Sequence, residues 1–443
     1  MFLRKVVLAL MALLVFSVPI AGGRLSFDIS LGPIGLMSLV GMLAFLFAIA
    51  HLLFGQRGLG QAKVPMDPSV TLFGLFVVLN FASVGWAQNS GVAISSAMDY
   101  LQILIFVWLL LFLRSEPKAL PIILHAFFLG SVLLVLNSLY DVLSVGLDAI
   151  GSQRIGGLGV HVNLFAFKLA LGIPVAFYLW QRGTPAIRWL YLMYVPAAVP
   201  LVILSGSRAG TGTAIIGLLA GLWLILRVEH EGRVHFSHKR LLVSAAIAIV
   251  LAFSVLPSVY DRFEWHVERV ASLADPLDTA GKSTAQSGFG GRVHIWRAAL
   301  KAYLDNPVLG VGSGGSRTAG LDYLGHEGLA VSLDVRGRSV HSAYVLIATE
   351  TGTIGLLMYF AILVSLFVRI RSFPRQEQIL FLTLMAMALV NGIAGSSTTG
   401  REFNLALFIS VIFLLRQAHV AIGKDKALGS GRSRNLQPEA SLT

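Results

Sequence analysis

The chain of 443 residues contains no cysteine. Disulfides, thiol nucleophiles and Cys-based metal sites are therefore excluded, and the redox compartment is not legible. Charge is also scarce. Only 13% of residues are charged and 56% are hydrophobic, whereas a soluble protein carries about 25% charged residues. No polar stretch is long enough for a separate soluble domain, apart from one running from about 259 to 339. Acids are the scarcer sign, 22 Asp and Glu against 34 Lys and Arg. A net charge of +12 on a soluble protein would point to nucleic acid. Here loop asymmetry accounts for it, and no nucleic-acid partner is expected.

What is present is a succession of apolar runs, each about 20 residues long, the length a bilayer demands. Twelve spans are expected, near 5–22, 33–54, 69–87, 97–113, 119–140, 161–181, 187–205, 211–227, 240–258, 341–368, 377–397 and 403–420. The opening MFLRKVVLALMALLVFSVPIAGG has the basic start and apolar run of a signal peptide, but an uncleaved first span gives the better topology. The expected fold is an all-α polytopic membrane protein. Residues 1–258 carry spans one to nine, 259–340 form a loop segment, 341–420 carry spans ten to twelve, and 421–443 form a disordered tail. Alternate connections hold 20 Lys and Arg on one side against 4 in the short loops of the other, with 9 more in the long segment. The positive-inside rule then puts both termini in the cytoplasm and the long segment outside, which in a bacterial inner membrane is the periplasm.

The outer segment has internal pattern. YDRFEWHVERVASL, residues 260–273, spaces Phe263, Val267 and Val270 as a surface amphipathic helix would. GGRVHIWRAALKAYLDNP begins a second helix, with Arg292, Trp296, Ala299 and Tyr303 on one face and His294, Arg297 and Lys301 on another; Asn306-Pro307 stops it. The Gly-rich VLGVGSGGSR that follows lets backbone approach something closely.

Cations gather on this outer side. Arg154, His161 and Lys168 are spaced by seven, which sets His161 and Lys168 on one helical face about two turns apart. Arg208 sits at the tip of LSGSRAGTG between small residues, and Arg338 and His341 stand where span ten begins. Lys168 lies inside an apolar helix, where an ammonium costs at least a few kcal/mol. It needs a carboxylate or an anionic ligand, and Asp99, Asp141, Glu350 and Glu402 are the acids near that depth. On a straight helix Glu350 lies half a turn away from His341, so it is expected to bond another helix rather than orient the imidazole. Each residue also has a plainer reading: Arg208 as a topology charge, Arg292 as surface-helix solvation, Arg154 and His161 as loop solvation, Lys168 snorkelling, His341 as an interfacial histidine. The run EHEGRVHFSHKR, with three histidines, reads as a solvated cytoplasmic connection.

A cavity rich in Arg, His and Lys suits a diphosphate, because guanidinium forks bind phosphate oxygens bidentately. No Asp-x-Asp pair stands ready on this side to hold a divalent cation against a nucleotide, so cationic side chains take over the metal's usual task of offsetting leaving-group charge.

The order of four motifs, SGSRAG at 205–210, GRVHIWRAAL at 291–300, NPVLGVGSGG at 306–315 and HSAYVLIATETGTIGL at 341–356, resembles the O-antigen ligase and polymerase superfamily. The resemblance implies a class C glycosyltransferase-like bundle with its site on the periplasmic face. The donor would be a polysaccharide on undecaprenyl diphosphate. A ligase passes it to a sugar of lipid A–core, a polymerase to another lipid-linked repeat, and related enzymes to a protein hydroxyl. The ligase is the favoured reading. His341 would be the base and Arg208 the main cation at the leaving group, with Arg154, His161, Lys168, Arg292 and Arg338 completing the diphosphate site. The transfer would be inverting and would need neither metal nor cofactor. A flippase for anionic lipids would use the same positive cavity, but its charges belong near the midplane.

Overall fold

The computed structural model describes residues 2–20, 30–31, 34–54, 68–113, 116, 118–145, 161–184, 187–230, 290–316, 340–370 and 375–394. These are helices and their connecting turns, apart from one small antiparallel ladder, β1 (Ser30–Leu31) against β2 (Ile34–Gly35). The helices are α1 (Phe2–Ile20), α2 (Leu36–Phe54), α3 (Pro68–Ala82), α4 (Ser90–Phe112), α5 (Ala119–Val145), α6 (Val162–Arg182), α7 (Arg188–Leu204), α8 (Arg208–His230), α9 (Gly290–Asp305), α10 (Ala343–Arg369) and α11 (Arg375–Ala394). Ten of the twelve expected spans fall on these helices. The two at 240–258 and 403–420, the surface helix at 260–273 and the C-terminal tail lie outside the described residues. Seven helices are long and apolar enough to cross a bilayer and three shorter ones are comparably apolar, as a multi-pass membrane protein requires.

Two boundaries differ from the expectation for local reasons. The fourth span starts at Ser90 rather than near 97, because the Asn89 side chain caps the helix by accepting from the Val92 N–H at 3.1 Å. The third ends in a 3₁₀ turn, Ser83–Gly85.

The centre of the bundle is α6. Every residue from Phe165 to Trp180 is buried, as befits a helix apolar on all sides. It packs against α5, α7, α8 and α11. α8 reaches it through a stripe of glycines, where a Cβ on Gly210 would strike Ala166, one on Gly217 would press on Ile173 and Pro174, and one on Gly221 would strike Phe177. Small residues at this spacing let helices meet backbone to backbone. Because the pairing climbs both sequences together, α6 and α8 run parallel.

That register orients the whole site. At its far end, Arg182 of α6 pairs with Glu377 at the start of α11, 2.7 Å apart. α10 and α11 form a hairpin: the Tyr344 hydroxyl donates to the Leu389 carbonyl at 2.9 Å, and Gly392 lies against Ala343 and Tyr344. The start of α10 is therefore at the end of α11 and opposite to Arg182. The first residues of α6, α8 and α10 share one end of the bundle, the end where His161, Arg208 and His341 stand.

Candidate active site

SGSRAG folds as a tight helix-to-helix turn. Gly206 takes the left-handed conformation (φ 63°) that ends α7. Ser207 then caps α8, its Oγ accepting from the Gly210 N–H at 3.1 Å, while the Ser205 Oγ accepts from the Ser207 N–H at 3.1 Å. Arg208 is the first residue of α8 and half-buried. The serines thus satisfy the helix start internally and fix where the arginine leaves the backbone. Gly210, two residues on, seats this helix start against Ala166, two residues from Lys168 in α6.

His341 is the single non-glycine residue with positive φ (54°) among the described residues. Histidine tolerates that region better than most residues, yet it costs on the order of 1–3 kcal/mol and persists only where surroundings over-determine it. The surroundings here are closely packed: Val340, Ser342 and Ala343 are buried while His341 itself is half-exposed. The helix begins at Ala343, so His341 stands before it, and the half-turn rotation expected between His341 and Glu350 does not apply.

The Gly-rich turn at 306–315 meets a break in α10. Gly352 has φ 64° and ψ −164°, a region open only to glycine. The break leaves backbone groups without helical partners, and the turn supplies them from both sides. Val311 N–H donates to the Thr349 carbonyl at 2.9 Å and Gly312 N–H to the Glu350 carbonyl at 3.0 Å; Thr353 N–H donates to the Pro307 carbonyl at 2.8 Å and Ile354 N–H to the Val308 carbonyl at 3.3 Å. The other side of the turn is anchored to the end of α3. Ser313 donates its hydroxyl to the Asn80 side-chain oxygen, and its N–H to the Ser83 Oγ at 2.9 Å. Glu350, expected to bond another helix, instead accepts from the Ser316 hydroxyl at 2.6 Å, at the turn's far end.

The second loop helix, α9, has the expected extent and stop, and its Trp296–Ala299–Tyr303 face lies on α10. The Trp296 indole N–H donates to the Val340 carbonyl at 2.7 Å, the Thr349 hydroxyl donates to the Ala299 carbonyl at 3.1 Å, and the Tyr303 and Thr353 hydroxyls bond at 2.8 Å. Arg292 is one helical turn before Trp296 in α9. His161 is the exposed N-cap of α6, its ring nitrogen accepting weakly from the Asn163 N–H at 3.4 Å. Lys168 is 1% exposed, enclosed within the bundle rather than snorkelling. Arg154 and Arg338 lie outside the described residues.

The motif-bearing elements α8, α9, the Gly-rich turn and α10 all lie within residues 194–360. Those residues match a family model. It is that of the O-antigen ligase family. The matched stretch contains all four motifs, and the helices before α7 lie outside it. A comparison with curated proteins finds no match. A match of this kind supports glycan assembly of the O-antigen ligase or polymerase type, with lipid-linked glycan and lipid acceptor as the general class of substrate. The sequence did not announce the Gly352 break or the turn's anchor at Asn80. A polar Asn80 inside the apolar run FVVLNFASVG was the available signal for the anchor, since a buried amide within a span needs a partner.

Proposed function

We propose that the protein is an O-antigen ligase of the bacterial inner membrane, with both termini cytoplasmic and its site facing the periplasm. It transfers a polysaccharide from undecaprenyl diphosphate to a sugar hydroxyl of lipid A–core. The observation that carries the reading is that Arg208, the first residue of α8, and His341, two residues before α10, both lie in the matched motifs and stand at one end of the bundle.

In the proposed reaction the acceptor hydroxyl oxygen attacks the anomeric carbon from the face opposite the diphosphate. His341 takes the hydroxyl proton, the new C–O bond forms, and the bond to the diphosphate oxygen breaks with its electron pair leaving on undecaprenyl diphosphate. An imidazole suits the role because its ordinary pKa lies near neutrality. Arg208, rigidly seated at its capped helix start, offsets the charge on the departing diphosphate, with Arg154 and Arg338 assisting. His161 and Arg292 join the proposed diphosphate site, to which the buried Lys168 contributes its charge from within the bundle. Inversion follows from a single displacement.

The test is transfer by the purified protein from lipid-linked donor to lipid A–core in the presence of EDTA. Wild-type protein should form the ligated product, and His341→Ala and Arg208→Ala should not, at equal protein levels. Full activity of His341→Ala would remove the base. Extension of the lipid-linked donor in place of transfer to lipid A–core would make the chain a polymerase.

A further inference from the structure

The reading of His341 as the base leaves open what holds it. Its backbone sits in a costly left-handed conformation (φ 54°). Ser342, the N-cap of α10, gives no side-chain hydrogen bond to the helix start, so the strain is not secured by local capping. The indole of Trp296 reaches this backbone from outside. Its N–H donates to the carbonyl of Val340 at 2.7 Å, and that carbonyl belongs to the peptide bond joining Val340 to His341. The plane of a peptide bond is rigid, so fixing its oxygen fixes the nitrogen of His341 and the direction from which the chain enters the left-handed turn.

The donor is itself well held. α9 lies on α10 through buried Ala298, Ala299 and Ala302, through the Thr349 bond to the Ala299 carbonyl, and through the Tyr303–Thr353 pair two turns along from Trp296. The Gly-rich turn that follows α9 is bonded on both sides of the Gly352 break. A helix of the loop segment is thus bolted to the span that follows His341.

We infer that Trp296 is a positioning residue for His341: its indole N–H clamps the Val340 carbonyl and so aims the imidazole at the acceptor hydroxyl. The inference rests on the proposed role of His341 as base. Trp296 makes no contact with the reacting atoms in this account and acts only through the peptide bond it holds.

Trp296→Phe keeps an aromatic ring in the same place and removes the donor. The expected result, with undecaprenyl-diphosphate-linked donor and lipid A–core, is a fall in kcat on the order of 10²-fold, the loss that a displacement of about 1 Å at a reacting group brings. KM for the donor should stay within about twofold, because no donor contact is removed. Tyr303→Phe, which removes a bond of the same helix to α10 but leaves Val340 untouched, should retain most of wild-type kcat. Placing β-(3-benzothienyl)alanine at position 296 exchanges the N–H for sulfur with the bicyclic shape kept. It should reproduce the loss, and it decides the matter should the Phe variant not accumulate.

Wild-type kcat in the Phe or benzothienyl protein, with His341→Ala inactive, would overturn the clamp and leave the base standing. Equal losses in Trp296→Phe and Tyr303→Phe would make Trp296 an ordinary packing residue. Activity retained by His341→Ala would instead remove the reading on which the clamp depends.

Discussion

Substituting alanine for Gly352 should destabilise the protein by an amount that follows from the break in α10. Gly352 sits at φ 64° and ψ −164°, where a side chain costs on the order of 1–3 kcal/mol. A Cβ there would also overlap the Val308 carbonyl and come within 2.6 Å of the Leu309 nitrogen. These neighbours are backbone and cannot swing aside as a side-chain tip can, so overpacking adds about 1–3 kcal/mol. Withdrawal of the turn offers no cheaper escape, because it gives up four backbone hydrogen bonds worth about 1 kcal/mol each. The expected loss is therefore about 2–6 kcal/mol. With an unfolding entropy of about 2.1 cal/mol/K per residue, as in globular proteins, this lowers the melting temperature of a 443-residue chain by roughly 2–6 °C. The assay is thermal unfolding of the detergent-purified protein followed by tryptophan fluorescence. Gly74→Ala in α3 is the matched control: a Cβ there meets nothing within 4 Å, and alanine in a helix is worth about 0.5–1 kcal/mol over glycine. It should melt at or slightly above wild type. A Gly352→Ala protein that melts with the control would refute the account of the break.

Three further outcomes follow from the same structure. Arg208→Ala should lower transfer by about 10²-fold or more, and Arg208→Lys should recover little of it, because a lysine lacks the bidentate fork; transfer rates of both purified variants check this. The wild-type transfer rate should rise as pH increases through the ordinary imidazole range, about 6–7, since a base must be unprotonated; a rate that falls over that range would make His341 a cationic phosphate ligand. Arg182→Ala removes the pair with Glu377 at the opposite end of the bundle. Arg182 is 40% exposed, so solvent screening limits the loss to about 1 kcal/mol, and thermal unfolding should shift slightly while transfer is unchanged.

Much of the helical layout was legible from hydropathy alone, because an apolar run of bilayer length has few other uses. The ten described spans lie where the apolar runs put them, and the stop at Asn306-Pro307 holds because proline cannot continue a helix. The Gly-rich turn was legible as a place of close approach, but not its partner: a glycine announces freedom without saying what comes near. The partner is the broken stretch of α10, and Thr351-Gly352-Thr353 inside a long apolar run was its only local trace. The left-handed backbone of His341 was not legible at all, since histidine adopts helical and extended conformations more readily and the decisive contact comes from Trp296, 45 positions earlier. Lys168 was recognised as a charge within a span, yet its enclosure depends on α6 lying at the centre of the bundle, which helix packing decides and hydropathy does not.

The claim on which the rest depends is that Arg208 and His341 face the same aqueous compartment, opposite to Arg182. Because the chain has no cysteine, Arg208→Cys, His341→Cys and Arg182→Cys each carry a single thiol that a membrane-impermeant maleimide can report. In cells with a permeabilised outer membrane and an intact inner membrane, the first two should be labelled from the periplasm, and the third only after the inner membrane is opened. Labelling of positions 208 and 341 from opposite sides of the membrane would contradict the account.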